Sequence, residues 1–365
     1  MQYIFDNANL FNNYAHTMNK KEAVHLFKNK ISVSIVGARG YSGLELSRLL
    51  LHHPAVELTY AFALREFSLS EELMEKKAER VVCLSDDQLM NHLTDVVFLA
   101  TPPEVSLKLA PQILSRGKRV IDLSGAFRLK KNDYQKWYHF EHTEKEWLQK
   151  AHYGLVPFAK PSTPETLLIS NPGCFATAVS MALIPLLKRD LIQAENIVID
   201  AKSGTTGAGR KAAENLLFSE VDGNCLPYRI GHHQHYPEIQ EAVELFTGKK
   251  IEPHFSTHLL PVKKGILASI YAQSKTTDLA LIEAAFAEDY ESNPLVTFGS
   301  NIAKLAKLSF VVGTPHTHLS YQLSGNKLYL FSTIDNLMKG AASQAVSNLN
   351  RLLDLPEQFG LGLKE

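Results

Sequence analysis

Cysteine is scarce in this chain of 365 residues: Cys83, Cys174 and Cys225 are the whole complement. An odd number with no C-x-x-C pair argues against a disulfide framework and for a reducing compartment, the cytosol. Charge of one sign is lacking too. The 38 basic side chains balance 38 acidic ones, which excludes the electrostatic footprint of a nucleic-acid binder and any like-charged tail. No apolar run reaches membrane-spanning length. Residues 1–28 carry Asn-Asn and Asn-Ala clusters without the apolar core of a signal peptide, and they read as an N-terminal extension. Neither an internal repeat nor a low-complexity linker interrupts the rest, and the length accommodates two domains with a substantial core.

What the chain does have begins with a strand, a glycine turn and a helix. Ile31 to Val36 alternates as a strand and runs into Gly37-Ala38-Arg39-Gly40-Tyr41-Ser42-Gly43, after which Leu44, Leu46, Leu49 and Leu50 keep helical spacing. The spacing G-x-x-G-x-x-G departs from G-x-G-x-x-G, and an ordinary βα turn is the plain alternative. In context each glycine has a use: turning, close approach to a pyrophosphate, or packing helix on strand, with phosphates at the helix N-terminus. Gly37, Arg39, Gly40, Tyr41, Ser42 and Gly43 are therefore candidate dinucleotide contacts. The next strand, Val56 to Ala63, leads into Leu64-Arg65-Glu66. Arg39 and Arg65 suit a 2′-phosphate, so NADP is the expected cofactor. Glu66 competes for a bare ribose hydroxyl, and both arginines also read as solvated surface charges.

From Ile31 to about Pro172 short apolar strands at Val81 to Leu84, Asp95 to Ala100 and Lys118 to Leu123 alternate with helical segments such as Glu104 to Leu114. Alternation of this kind implies an α/β Rossmann domain, assigned to residues 29–173, with a parallel sheet covered on both faces. After Cys174 strands are expected at Ile197 to Ala201, His254 to Pro261, Ile266 to Gln273, Phe310 to Val312, His316 to Leu323 and Lys327 to Thr333. They suggest a second, α+β domain on a mixed sheet, residues 174–333. An amphipathic helix from Asp335 to Leu353 is expected to return to the first domain, which residues 334–365 would complete. The junction at Pro172-Gly173 then places Cys174 at the cleft between domains.

The chemistry follows from that placement. Ser170-Asn171-Pro172-Gly173-Cys174 opens into the helical pattern Phe175 to Leu187. Unpaired N–H groups and the positive end of the macrodipole favour an anion there, so a thiolate at neutral pH is expected, a nucleophile for acyl transfer. The bland alternative is a small buried hydrophobe. A proton carrier is expected in Gly231-His232-His233-Gln234-His235-Tyr236-Pro237-Glu238-Ile239, with His235 first and His233 next. A metal site would want cysteine or carboxylate ligands at recognisable spacing, so none is expected there or at His316 and His318. Ser203-Gly204-Thr205-Thr206-Gly207-Ala208-Gly209-Arg210-Lys211 fails as a Walker A loop, because Arg210 and Lys211 stand where Gly-Lys-Ser/Thr is required. Its Ser203, Gly204 and Gly207 still offer a cradle for phosphate or for a nicotinamide, ahead of a helical pattern from Lys211 to Phe218; a plain flexible loop is the alternative.

Taken in order, Gly37 to Gly43, Val120-Ile121-Asp122-Leu123-Ser124 with Phe127-Arg128-Leu129, Tyr153-Gly154-Leu155, Asn171 to Cys174, Ser203 to Lys211, His233 to Ile239, and Asp335-Asn336-Leu337 with Lys339 to Ala342 resemble the N-acetyl-gamma-glutamyl-phosphate reductases. The resemblance spans roughly residues 31 to 350. It implies a Rossmann domain joined to a catalytic and dimerisation domain of the glyceraldehyde-3-phosphate/aspartate-semialdehyde dehydrogenase type, NADPH, a homo-oligomer, and Cys174 as nucleophile. The implied reaction converts the acyl phosphate N-acetyl-L-glutamyl 5-phosphate to the semialdehyde through a cysteine thioester, a step of arginine biosynthesis. Rival readings are an acyl-phosphate reductase of the aspartate-semialdehyde or aminoadipyl type, a catalytically silent NADP-binding regulator, and a metal-dependent hydrolase built on the histidines. Two departures stand out: Gln234 replaces the arginine of His-Arg-His-x-Pro-Glu-Ile, and Lys264 that of Pro-x-x-Arg-Gly. Lysine keeps the charge and loses the bidentate fork.

Overall fold

The glycine turn and its flanking apolar runs build the first of two sheets. The computed structural model describes residues 30–362 apart from Lys211, so the expected N-terminal extension lies outside the described residues. Strands β1 (Ile31–Val36), β2 (Val56–Ala63), β3 (Val82–Ser85), β4 (Val96–Leu99), β5 (Arg119–Asp122), β6 (His152–Tyr153) and β7 (Leu168–Ser170) pair in parallel in the order β3-β2-β1-β4-β5-β7-β6. Parallel pairing needs crossovers, which the helices Tyr41–His52 and Pro103–Leu114 provide. Leu46 and Leu50 pack on one face together with Ala345, Val346 and Leu349 of the C-terminal helix Ser343–Leu352, so that helix returns as expected. Leu107, Ala110 and Ile113 cover the other face. Covered on both sides, β4 is buried at all its positions, as a continuous apolar run should be. The order reverses between β1 and β4, which opens a crevice at their carboxyl ends, where Gly37 stands.

The second sheet is mixed. Strands β8 (Val198–Gly204), β9 (Leu226–Tyr228), β10 (His254–Leu260), β11 (Ile266–Gln273), β12 (Val296–Gly299), β13 (Thr317–Ser324) and β14 (Lys327–Ile334) run in the order β12-β13-β14-β11-β8-β10-β9. The β8–β10 and β12–β13 pairs are parallel and the rest antiparallel. Under the sheet lies the helix Cys174–Lys188, buried from Phe175 to Leu187, flanked by His235–Thr247 and Leu279–Tyr290. A helix apolar all round belongs in a core, and this one packs its first residue, Cys174, against that core. No described helix is long and apolar enough to cross a membrane.

Three expectations fail locally. Phe310 to Val312 forms no strand: Leu308–Phe310 is a single 3₁₀ turn, and Phe310 stays exposed. Within Lys211 to Phe218, Lys211 is not described, and the remainder gives a 3₁₀ turn at Glu214–Leu216 before a four-residue helix at Phe218–Val221. Leu217 and Phe218 point to solvent, and without a buried face so short a segment cannot sustain a helix. The stretch Asp335 to Leu353 is not one α-helix. The Asp335 carboxylate accepts the N–H groups of Leu337 and Met338 at 2.7 and 3.0 Å, and a π turn follows at Met338–Ala342, with Gly340 N–H donating to Asp335 O and Ala342 N–H to Leu337 O. Strands β6, β7, β9 and β12 have two to four residues each, too few to show alternation.

Inside the π turn Lys339 is buried, and its ammonium donates to Val156 O at 3.1 Å. Burial pushes it down from 10.5 to about 8. Between those values the unfolded chain binds the proton and the folded one releases it, so the penalty, full below pH 8, fades as pH rises. Lys339→Met removes the effect. Denaturant unfolding across pH 8 to 10 should show wild type gaining about 2–3 kcal/mol relative to the variant.

Candidate active site

Cys174 is held by the turn that precedes it. Asn171 N–H donates to Asp122 O at the end of β5, and its side chain bridges Ala341 O and the amide of Asn348 at 3.2 and 3.0 Å. Gly340 of the π turn packs against the cysteine so closely that a Cβ there would lie 2.6 Å from Cys174 Cβ. Gly173 is equally constrained: a Cβ would stand 2.7 Å from Arg128 Nη1 and 2.8 Å from Glu238 Oε2, and closer still to His235 Nε2. One imidazole, one guanidinium and one carboxylate thus converge on the residue before the sulfur.

Glu238 is fully buried. Its Oε1 accepts the Gly173 N–H at 2.7 Å and the Tyr153 hydroxyl at 2.9 Å, and its Oε2 lies 3.4 Å from Arg128. Arg128 also donates to Asn171 O at 2.8 Å and Leu123 O at 2.6 Å. Burial alone would lower the pKa of this guanidinium; Glu238 first, with Tyr138, Tyr153 and Asp122, more than reverses the effect, so the guanidinium stays charged. Sequence reading gave neither residue a role, although both sit in family-like blocks, Phe127-Arg128-Leu129 and Pro237-Glu238-Ile239.

The histidines are brought together as expected, with a division of labour. The His233 and His235 rings stand 4.8 Å apart, edge to face, while His232 is exposed. His233 Nδ1 accepts the backbone N–H of His235 at 3.1 Å, which leaves the neutral ring's proton on Nε2. Burial pushes His233 down to about 2, and burial followed by the field of Arg128 holds His235 well below the ordinary imidazole value. Among the described residues no group of three histidine, cysteine or carboxylate side chains could hold a metal ion.

The proton state of Cys174 departs from expectation. Burial pushes the thiol up to about 12, against the opposing pull of Arg128 and of the N–H groups of Phe175 and Cys174. The helix start alone does not leave a resting thiolate, because burial, with a smaller push from Glu238, outweighs it. Thiol and neutral imidazole face a shared cavity of 470 Å³ lined by Cys174, His233, His235, Ser203, Gly207 and Arg229 among others. A larger groove of 660 Å³, beyond Arg128 and Tyr153, contains none of the nucleophile or imidazoles.

The dinucleotide candidates divide. Gly37 has φ of +83°, and a Cβ there would strike Ala100 O; at Gly43 it would strike Gly37 O and come within 2.9 Å of Ala38. Only glycine lets β1, the turn and the helix close up in this way. Gly40 caps the helix without a side chain, so the N–H groups of Tyr41, Ser42 and Gly43 keep no intrahelical acceptor. That cradle fits a pyrophosphate. Arg39 is taken: it pairs with Glu72 at 2.9 Å, and Arg210 from the Ser203 loop reaches both Glu72 at 3.0 Å and Arg39 O at 2.9 Å. Arg65 and Glu66 are exposed, and Arg65 makes no hydrogen bond or ion pair among the described residues. At the other end of the crevice, a Cβ on Gly204 would meet the Lys263 backbone at 2.7 Å, and Asn336 ties Thr206 Oγ1 to Gly265 N–H. Lys264 keeps its charge in a pair with Glu45 at 2.6 Å.

A cysteine heading the helix under a mixed sheet, and sharing a cavity with the loop that reaches the glycine turn, fits the class of semialdehyde dehydrogenases. The family model for the semialdehyde dehydrogenase NAD binding domain matches residues 32–165, and that for the semialdehyde dehydrogenase dimerisation domain matches 174–336. Aspartate semialdehyde dehydrogenase II of Vibrio cholerae, solved with ASA bound, shares the fold at a TM-score of 0.66 and 16% identity, over 89% of this chain and 99% of that one. The structure of a probable aspartate-semialdehyde dehydrogenase from Pseudomonas aeruginosa does so at 0.62 and 19%, over 88% and 98%. More particularly, the chain belongs to the N-acetyl-gamma-glutamyl-phosphate reductase family. It is 40% identical to the reductase of that name from Geobacillus kaustophilus, over 91% of this chain and 98% of the relative. With that of Campylobacter jejuni subsp. doylei the identity is 37%, over the same shares of the two chains.

Removing one partner of the Arg128–Glu238 pair strands a buried charge. Glu238→Gln or Arg128→Met alone should each destabilise by about 3–5 kcal/mol, while the double variant should cost clearly less than their sum. Equilibrium unfolding of the four proteins measures the cycle.

Proposed function

We propose that the protein reduces N-acetyl-L-glutamyl 5-phosphate to N-acetyl-L-glutamate 5-semialdehyde and phosphate, through a thioester on Cys174. One observation carries the reading. The loop from Ser203 to Arg210 lines the cysteine cavity at one end and touches the glycine turn at the other, so nucleophile and dinucleotide crevice form one site.

The resting pair is thiol and imidazole. As the acyl carbon approaches Cys174 Sγ, His235 takes the thiol proton, and the sulfur–carbon bond forms while the bond to phosphate breaks. His235 sits against Gly173, one residue from the sulfur, and its pKa below the ordinary value keeps it a free base at neutral pH. The N–H groups of Cys174 and Phe175, whose pull on the sulfur is noted above, are also placed to receive the developing oxyanion. Bound NADPH supplies the hydride. His235 then returns the proton to the sulfur as the aldehyde leaves, while His233, with its proton on Nε2, packs edge to face against it. The cofactor would rest on Gly37, Gly40 and the amides of Tyr41, Ser42 and Gly43, with Ser203, Gly204 and Gly207 near its nicotinamide end. Of the two arginines, the unpaired Arg65 is the better partner for a 2′-phosphate; Arg39, paired with Glu72, shapes the turn.

Residues 29–173 with 334–365 would form the NADP-binding unit and 174–333 the catalytic and dimerisation unit. The match to a dimerisation domain supports a homodimer or homotetramer. Balanced charge and three unpaired cysteines suit the cytoplasm.

The test runs in the oxidative direction with NADP and phosphate. N-acetylglutamate semialdehyde should be oxidised with a kcat/KM at least about 100-fold above that for aspartate semialdehyde, and Cys174→Ser should lose several orders of magnitude in kcat. A preference for aspartate semialdehyde, or near-normal turnover in the serine variant, would overturn the reading.

A further inference from the structure

The cavity beside Cys174 contains one permanent charge among its described lining residues, the guanidinium of Arg229. No described carboxylate pairs with it. Its Nη1 instead donates to the amide oxygen of Gln234, in a close hydrogen bond. Arg229 is solvent-exposed at the cavity's rim; held there by a neutral amide, its guanidinium keeps most of its donor fork for something else. The backbone is shaped to aim it. Arg229 has φ of +48°, in the left-handed region that a long side chain seldom adopts, and Gly231 follows at +76°. The Arg229 carbonyl closes the turn by accepting the His232 N–H at 3.1 Å. Strain kept at a cavity wall marks a side chain placed for contact.

We propose that Arg229, held by Gln234, determines specificity by binding the substrate's α-carboxylate, the anionic end remote from the reacting carbon. This deepens the function proposed above and rests on it. The site has a second guanidinium, and the two are not equivalent. Arg128 is locked into the pair with Glu238 and bonded to Asn171 O and Leu123 O, and it does not line the cysteine cavity, whereas Arg229 lines that cavity and meets no described carboxylate. A five-carbon acyl chain with its carbonyl at Cys174 carries its carboxylate away from the sulfur, within a cavity whose one permanently charged described lining residue is Arg229. The glutamine at position 234 then has a reason. It stands where the resembling family usually has an arginine, and here it supports an arginine supplied five residues earlier, without neutralising it.

The test compares two aldehydes in the oxidative direction: N-acetylglutamate semialdehyde, and 4-acetamidobutanal, which has the same chain without the carboxylate. The quantity read is the ratio of their kcat/KM values, which a partly misfolded preparation leaves unchanged because both numerators fall together. Arg229→Met should lower the ratio by about 30-fold or more, chiefly through KM for the carboxylate substrate. Gln234→Glu, which neutralises the guanidinium, should lower it by about 10-fold. The KM for phosphate should hold steady in both. An unchanged ratio overturns the proposal. So does a rise in the phosphate KM with the ratio intact, which would make Arg229 a phosphate ligand. A wild-type enzyme that oxidises neither aldehyde overturns the proposed function itself, and that result is read before any variant is made.

Discussion

The site depends on a buried ion pair at the seam between the two sheets. Arg128 comes from the loop after β5 of the first sheet, and Glu238 from the helix His235–Thr247 under the second. Neither charge is solvated, so each must be met within the protein, and their hydrogen bonds meet at the Asn171–Gly173 turn. A low-dielectric setting makes that requirement stringent. The price is a pair of desolvated ions; the return is a nucleophile whose backbone has almost no freedom to move. The π turn adds the opposite wall, since Gly340 contacts the cysteine directly and Lys339 and Asn348 tie down Val156 and Gly154.

The same burial explains why the sulfur rests as a thiol. A cysteine at an exposed helix N-terminus would ionise; this one lies within reach of Glu238 and apolar side chains, and its proton stays on. On the proposed route, reactivity is created when the acyl phosphate arrives and His235 accepts the proton in the same event. A thiol of this kind is less open to oxidation between turnovers, because the thiolate is the form that oxidants attack. The neutral imidazoles fit that scheme, as a permanently charged histidine could not accept a proton.

Much of this was legible in the sequence, and the remainder was hidden for definite reasons. That Cys174, His233 and His235 share one cavity is foreseeable from sequence, because chemically distinct residues stand at or just before helix starts. The glycine turn was found because strand, turn and helix are contiguous. Arg128 and Glu238 were not, because 110 residues separate them and nothing local tells a buried arginine from a solvated one. Arg39 reads as a phosphate ligand in the sequence, which does not reveal its ion pair with Glu72. The π turn escaped because its i+5 bonds follow from packing Gly340 onto Cys174, while the apolar spacing of Asp335 to Leu353 reads as an unbroken helix. Phe310 to Val312 and Lys211 to Phe218 misled because short apolar runs carry a pattern without the burial that would realise it.

The central claim is that Cys174 carries the acyl group, and it can be tested without cofactor. The protein mixed with N-acetylglutamyl phosphate in the absence of NADPH, quenched and digested, should carry one N-acetylglutamyl group on the peptide containing Cys174, with an equal release of phosphate. A protein that reduces this substrate at full rate yet shows no acylation of Cys174 under those conditions would contradict the account.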